Sequence, residues 1–169
     1  WLSFIKGLAM SDNVYFYELG YRVGIDAIAK YARIYGFGEP TGIDLEGESS
    51  GLVASKQVKL DIWNEGWRLG DTFNAAIGQG FNLSTPLQLA VMLSCVANGG
   101  IKHQPYLVEA FYNPDGTIYG VPERAEGKHI DVSQRTIDYM RDGMSATTEA
   151  GGTASYFRTL PRKVAGKTG

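Results

Sequence analysis

Cysteine is nearly missing from this chain of 169 residues: Cys95 stands alone in an apolar run, where it is expected in the core, and no internal disulfide or multi-cysteine zinc site is available. Histidine is as scarce. His103 and His129 are isolated, with no partner at metal-ligand spacing, so both are expected at the surface or in turns and no metal site is implied. No sign of charge dominates either. Sixteen Lys and Arg against 18 Asp and Glu leave a net charge of -2, with no basic block to draw a phosphate backbone, which excludes nucleic acid as a partner. Long hydrophobic runs are absent: Leu87 to Ala97 is broken by Gln88 and Ser94 and falls short of the ~20 residues that a membrane span requires. The N-terminus shows neither a basic start nor a small-residue cleavage site, and Trp1 is an unusual first residue. The expectation is a piece cut from a longer protein and truncated at both ends.

What is there describes a folded chain. Hydrophobic residues make up 44%, aromatic residues 12% and charged residues 20%, which rules out wholesale disorder, and the length fits one domain or a large part of one. Glycine is the compositional oddity, with 22 residues, nearly twice the average share of ~7%. The glycines punctuate the chain without marking a domain linker, and there is no internal repeat.

Between these breaks, Leu2, Ile5, Leu8 and Ala9 recur at helical spacing and predict a helix to about Met10, interrupted at Ser11. Val14 to Leu19 reads as a second short helix, and Val23 to Ile34 as a third that Gly36 ends as a C-cap. Residues 38–72 read as an irregular excursion and a candidate binding loop. Thr85 and Pro86 open a helix that runs to Asn98, closed by Gly99 and Gly100. Tyr106 to Tyr112 and Thr117 to Val121 form a hairpin around Asn113-Pro114-Asp115-Gly116. Ser133 caps an amphipathic helix to about Met144, and the tail from Lys163 reads as a strand.

Two tripeptides bear on chemistry. Ser11-Asp12-Asn13 lies at a break between helical patterns, where its residues serve as caps, and Lys167-Thr168-Gly169 is unremarkable by itself. Their occurrence together, in this order and about 150 residues apart, is far rarer than either alone. It matches the second and third signatures of the serine acyltransferases that include penicillin-binding proteins and class A β-lactamases. The likeness extends through Ser11 to Leu19, Tyr35 to Gly38, Thr41 to Leu45, Gly70-Asp71-Thr72, Ile77 to Gly80 and Thr85 to Ala90. Over most of its length the chain resembles the transpeptidase domain of a class B penicillin-binding protein. Trp67 and the Ile77-Gly78-Gln79-Gly80 stretch resemble the elongation type.

The resemblance implies an α+β fold over residues 1–169: the helical part of a penicillin-binding transpeptidase, or serine β-lactamase-like, domain with a hairpin and the Lys-Thr-Gly strand. Ser3-Phe4-Ile5-Lys6 fits the family's Ser-x-x-Lys expression but stands only one short helix before Ser11, so the nucleophile is expected upstream of Trp1, and Ser3 at a helix boundary. The resemblance gives Ser11 and Asn13 catalytic roles. Ser11 passes a proton toward the leaving amine, and Asn13 orients the upstream Lys and bonds the substrate amide. Lys167 holds Ser11 and, with Thr168, meets the substrate's terminal carboxylate, while Gly169 lets the substrate lie along the strand. Gly151 to Ala154 resembles the family's Gly-Thr-Ala stretch and is expected as structural support, with a substrate contact as the alternative.

The activity implied is the crosslinking of peptidoglycan stem peptides through a serine acyl-enzyme, with β-lactams as inhibitors, other cell-wall synthesis proteins as partners, and an inner-membrane anchor that holds this domain on the outer face. It calls for no metal or organic cofactor. Two alternatives stand beside it. One is a carboxypeptidase or β-lactamase of the same fold; the other is a non-catalytic β-lactam sensor or cell-wall scaffold.

Overall fold

The computed structural model describes residues 2–169. Helix α1 spans Phe4–Ala9, and Ser3 caps it by accepting the Lys6 N–H at 3.3 Å. Helix α2 spans Asn13–Ile34 and holds the second and third expected helices, joined through a kink. Its geometry breaks at Gly24 (φ 76°, ψ 162°) and stays helical at Gly20. Gly20 is a packing residue: a Cβ there would lie 2.5 Å from that of Ala76. At the far end Gly36 (φ 94°) donates to the Arg33 carbonyl and Phe37 to that of Ala32, the paired bonds of a Schellman cap.

The excursion at 38–72 is more ordered than expected. It contains α3 (Lys56–Trp63) and the start of α4 (Leu69–Ala76). Local pattern hides both, because Val58, Leu60 and Ile62 alternate as in a strand and Gly70 falls in the first turn of α4. Tertiary contacts decide it. Lys59 on α3 is buried and bonds the Asp71 carboxylate at 2.8 Å, while Asp71 caps α4 by accepting the Arg68 N–H at 2.7 Å. Burial pushes Asp71 up, but these bonds and the Lys59 and Arg68 charges outweigh it and hold the carboxyl below its usual value.

Helix α5 (Pro86–Ala97) starts as expected, with Thr85 capping and Pro86 in the first turn, and Gln88 completes a capping box. Gln88 is buried, and its Nε2 donates to the carbonyls of Glu39 at 2.7 Å and Ser50 at 2.8 Å, which stitches the preceding loop to α5. Strand β1 (Ile101–Lys102) pairs antiparallel with β4 (Lys128–His129), a pairing that no local pattern announced. The expected hairpin forms, but only as β2 (Phe111–Tyr112) and β3 (Ile118–Gly120). It is shorter because residues 107–109 bond elsewhere: Asp44 accepts the Leu107 and Val108 N–H groups, and Arg124 donates to the Val108 and Glu109 carbonyls.

Helix α6 (Gln134–Thr148) is capped by Ser133 and runs four residues past the expected end. Helix α1 packs on it where Gly143 admits Leu8; a Cβ at Gly143 would lie 2.6 Å from the leucine. Two apolar clusters hold the elements. Cys95, fully buried as expected, packs with Tyr35, Val96 and Ile137, and Ile25 packs with Ala54 and Ala75. The α+β class stands, as helices with two small antiparallel sheets. The tail is the clear departure: residues 163–169 form no strand. A ladder needs a neighbouring backbone, and among the described residues the tail is instead tied to α6, with Gly166 donating to the Met144 carbonyl and Thr148 Oγ1 to that of Val164.

Candidate active site

The corner between α1 and α2 is a compact piece of backbone engineering. Ser11 N–H donates to the Leu8 carbonyl and Asp12 N–H to that of Gly7, so α1 ends in a Schellman motif with Ser11 in the left-handed position, at φ 54°. Glycine is the usual occupant there, since an L side chain in this region costs about 1–2 kcal/mol. The next residue does double duty: Asp12 Oδ1 accepts the Tyr15 N–H at 2.8 Å and starts α2. Asp12 is therefore the cap, and Ser11 and Asn13 on either side are released from that task. Asn13 is the first residue of α2, with an exposed side chain that makes no hydrogen bond among the described residues.

The tail reaches this corner. Lys167 Nζ donates to Ser11 Oγ at 2.5 Å across 156 positions of sequence, and to the Thr168 carbonyl at 2.5 Å. Burial of the ammonium lowers the Lys167 pKa from 10.5 by disfavouring its charged form. Thr168 Oγ1 lies 2.8 Å from Thr153 Oγ1. Gly169 is exposed, and a Cβ built on it would meet nothing within 4 Å. Ser3, exposed at the start of α1, serves as a helix cap. Thr153 thereby joins the site, and in the sequence only its Gly-Thr-Ala context points to it.

A serine hydroxyl held by a lysine of lowered proton affinity, with a pair of threonine hydroxyls beside it, is a set of groups able to exchange protons. The sequence pattern of the penicillin binding protein transpeptidase domain matches residues 2–169. The chain belongs to that transpeptidase family. It is 35% identical over 166 residues to the peptidoglycan D,D-transpeptidase MrdA of Acinetobacter baumannii, which covers 97% of this chain and 24% of the relative. To MrdA of Escherichia coli K12 it is 32% identical over 170 residues, 99% of this chain and 27% of the relative. A crystal structure of Pseudomonas aeruginosa PBP2 in complex with WCK 5153 matches all of this chain and 38% of its own, at 31% identity and a TM-score of 0.88. PBP2 of Helicobacter pylori in complex with MreC matches 99% of this chain and 30% of its own, at 32% identity and a TM-score of 0.86. These relatives are elongation-type enzymes, in agreement with the reading of Trp67 and Ile77 to Gly80. The chain spans about a quarter of the length of the curated relatives it matches.

Within this transpeptidase chain the residues that carried the resemblance have structural work. Trp67 Nε1 donates to Thr72 Oγ1 at 2.8 Å, Asp71 pairs with Lys59, and Gln88 ties down the loop before it. No metal-binding cluster and no helix long and apolar enough to cross a membrane occurs among the described residues.

Proposed function

We propose that this chain contributes the Ser-Asp-Asn corner and the Lys-Thr-Gly tail to the active site of a peptidoglycan D,D-transpeptidase. The observation that carries the reading is the 2.5 Å contact between Lys167 Nζ and Ser11 Oγ. Two residues 156 positions apart have no local reason to meet.

In the proposed chemistry an upstream serine Oγ bonds to the carbonyl carbon of a D-Ala-D-Ala peptide. The C–N bond breaks, and the serine's proton reaches the departing amine through a relay that includes Ser11. Lys167 orients the Ser11 lone pairs by donating to Oγ, and its lowered proton affinity eases proton exchange along that contact. Thr168 hydrogen-bonds the substrate's carboxylate, and Asn13, with its exposed amide, bonds the peptide backbone. The exposed Gly169 leaves room for the substrate strand. An amine from a second stem peptide then attacks the ester and regenerates the serine. A β-lactam enters the same first step and stays as the acyl-enzyme.

The parent is proposed to be anchored in the inner membrane with this domain on its outer face. It is also proposed to work beside other wall-synthesis proteins, as H. pylori PBP2 is seen with MreC. The test is acylation of the full-length parent by a fluorescent penicillin, with peptide mapping of the adduct. A long-lived adduct on a serine upstream of residue 1 supports the reading. An adduct cleared within seconds marks a hydrolase, and no labelling marks a scaffold.

A further inference from the structure

Thr153 touches both halves of the site. Its backbone N–H donates to the Ala9 carbonyl at 3.0 Å, two residues before Ser11, and its Oγ1 lies 2.8 Å from Thr168 Oγ1. The turn that presents it has little freedom. A Cβ on Gly152 would meet the Thr147 and Ala146 carbonyl oxygens at 2.2 and 2.4 Å, and Ala154 is buried with its N–H on the Thr147 carbonyl. A hydroxyl held to the end of α1 by its own N–H and to the end of α6 through its neighbour Ala154 thus faces the tail.

We infer that Thr153 is a positioning residue that sets the direction of the Thr168 hydroxyl proton. A threonine hydroxyl has one proton to give and lone pairs to receive. Between two free hydroxyls either can donate, so Thr168 alone can turn its proton toward Thr153 and present only lone pairs to solvent. When an anionic carboxylate lies against Thr168, the favourable arrangement has Thr153 O–H donating to Thr168 Oγ1 and Thr168 O–H donating to the carboxylate. The two bonds polarise each other in the same direction. No bond in the protein is made or broken. Thr153 acts through Thr168 and touches no reacting atom.

The inference rests on the proposed role of Thr168 at the substrate carboxylate, and its test separates the two. In the full-length parent, acylation rate constants are measured with a penicillin carrying its free carboxylate and with the methyl ester of the same penicillin. The inference expects Thr153→Val, which keeps shape and removes the hydroxyl, to slow acylation by the acid about three- to ten-fold, as for one neutral hydrogen bond, with little change for the ester. Thr153→Ser restores the acid rate, and Thr153→Val adds nothing on top of Thr168→Val. Equal slowing of acid and ester by Thr153→Val shows a merely structural role and overturns the inference. So does an unchanged acid rate while Thr168→Val still loses the acid preference. Should the wild-type protein show no acid preference at all, or Thr168→Val leave it intact, the role of Thr168 itself falls and this inference with it.

Discussion

Ser11 combines a proposed chemical role with an unfavourable backbone, and the two can be separated by comparing Ser11→Ala with Ser11→Gly. Both variants remove Oγ and with it the acceptor of Lys167 Nζ. They differ only in the Cβ, which at φ 54° is the source of the strain. The left-handed conformation costs an L residue about 1–2 kcal/mol. Against this, glycine loses more conformational freedom on folding, by about 0.5–1 kcal/mol. At the middle of both ranges the balance leaves Ser11→Gly more stable than Ser11→Ala by roughly 0.75 kcal/mol. At about 2–4 °C per kcal/mol for domains of this size, the melting temperatures should differ by about 1.5–3 °C, with glycine the higher. The assay is side-by-side thermal melts of the two variants in the parent protein, together with their acylation rates by penicillin. Both rates should fall, and by the same factor, because the backbone conformation gives no substitute for the hydroxyl. An alanine variant as stable as the glycine one refutes the strain argument. A glycine variant that keeps the wild-type acylation rate refutes the relay role.

Three further outcomes are expected. Replacing the buried Lys59 with Met leaves the Asp71 carboxylate unpaired in a largely buried site and should cost about 3 kcal/mol in urea unfolding, less when Asp71→Asn is added. Because burial lowers the Lys167 pKa, the unfolded chain binds its proton more tightly than the folded one between that lowered value and 10.5. Stability from this group therefore rises with pH through that window, and urea melts of Lys167→Met should lack the rise. The 169-residue chain alone should form no covalent adduct with fluorescent penicillin on a denaturing gel, since the upstream nucleophile is proposed to lie outside it and loss of even one oxyanion donor costs about a hundred- to a thousand-fold. An adduct mapped to Ser3 would identify it as the nucleophile, and one on Ser11 would overturn the relay.

Elements marked by local chemistry were legible in the sequence. Thr85-Pro86, Ser133 and Gly36 act through bonds to residues three or four positions away, so their caps stand where pattern puts them. Helices α3 and α4 were not legible, because a buried lysine and the Trp67 indole N–H donating to the Thr72 hydroxyl hold them and nothing local announces either. The tail failed as a strand for a related reason: strand residues need a partner backbone, and Lys163 to Gly169 find side-chain and helix partners instead. The meeting of Ser11 with Lys167 could be expected only through the family resemblance, as periodicity carries no information across 156 positions. The same limit hid Thr153, whose partner Thr168 stands 15 positions away, with only the short 3-10 helix Ser155–Thr159 and irregular chain between them.

The contact between Ser11 and Lys167 is tested most directly by a double-mutant cycle on the acylation rate of the parent by penicillin, using Ser11→Ala, Lys167→Ala and the two combined. Residues that act through one hydrogen bond are coupled by about 0.5–3 kcal/mol. The second substitution should therefore cost several-fold less when the first is already present, and the double variant should be close to the slower single one. Costs that multiply independently, to within about two-fold, would contradict a shared relay and reduce the 2.5 Å contact to an incidental one.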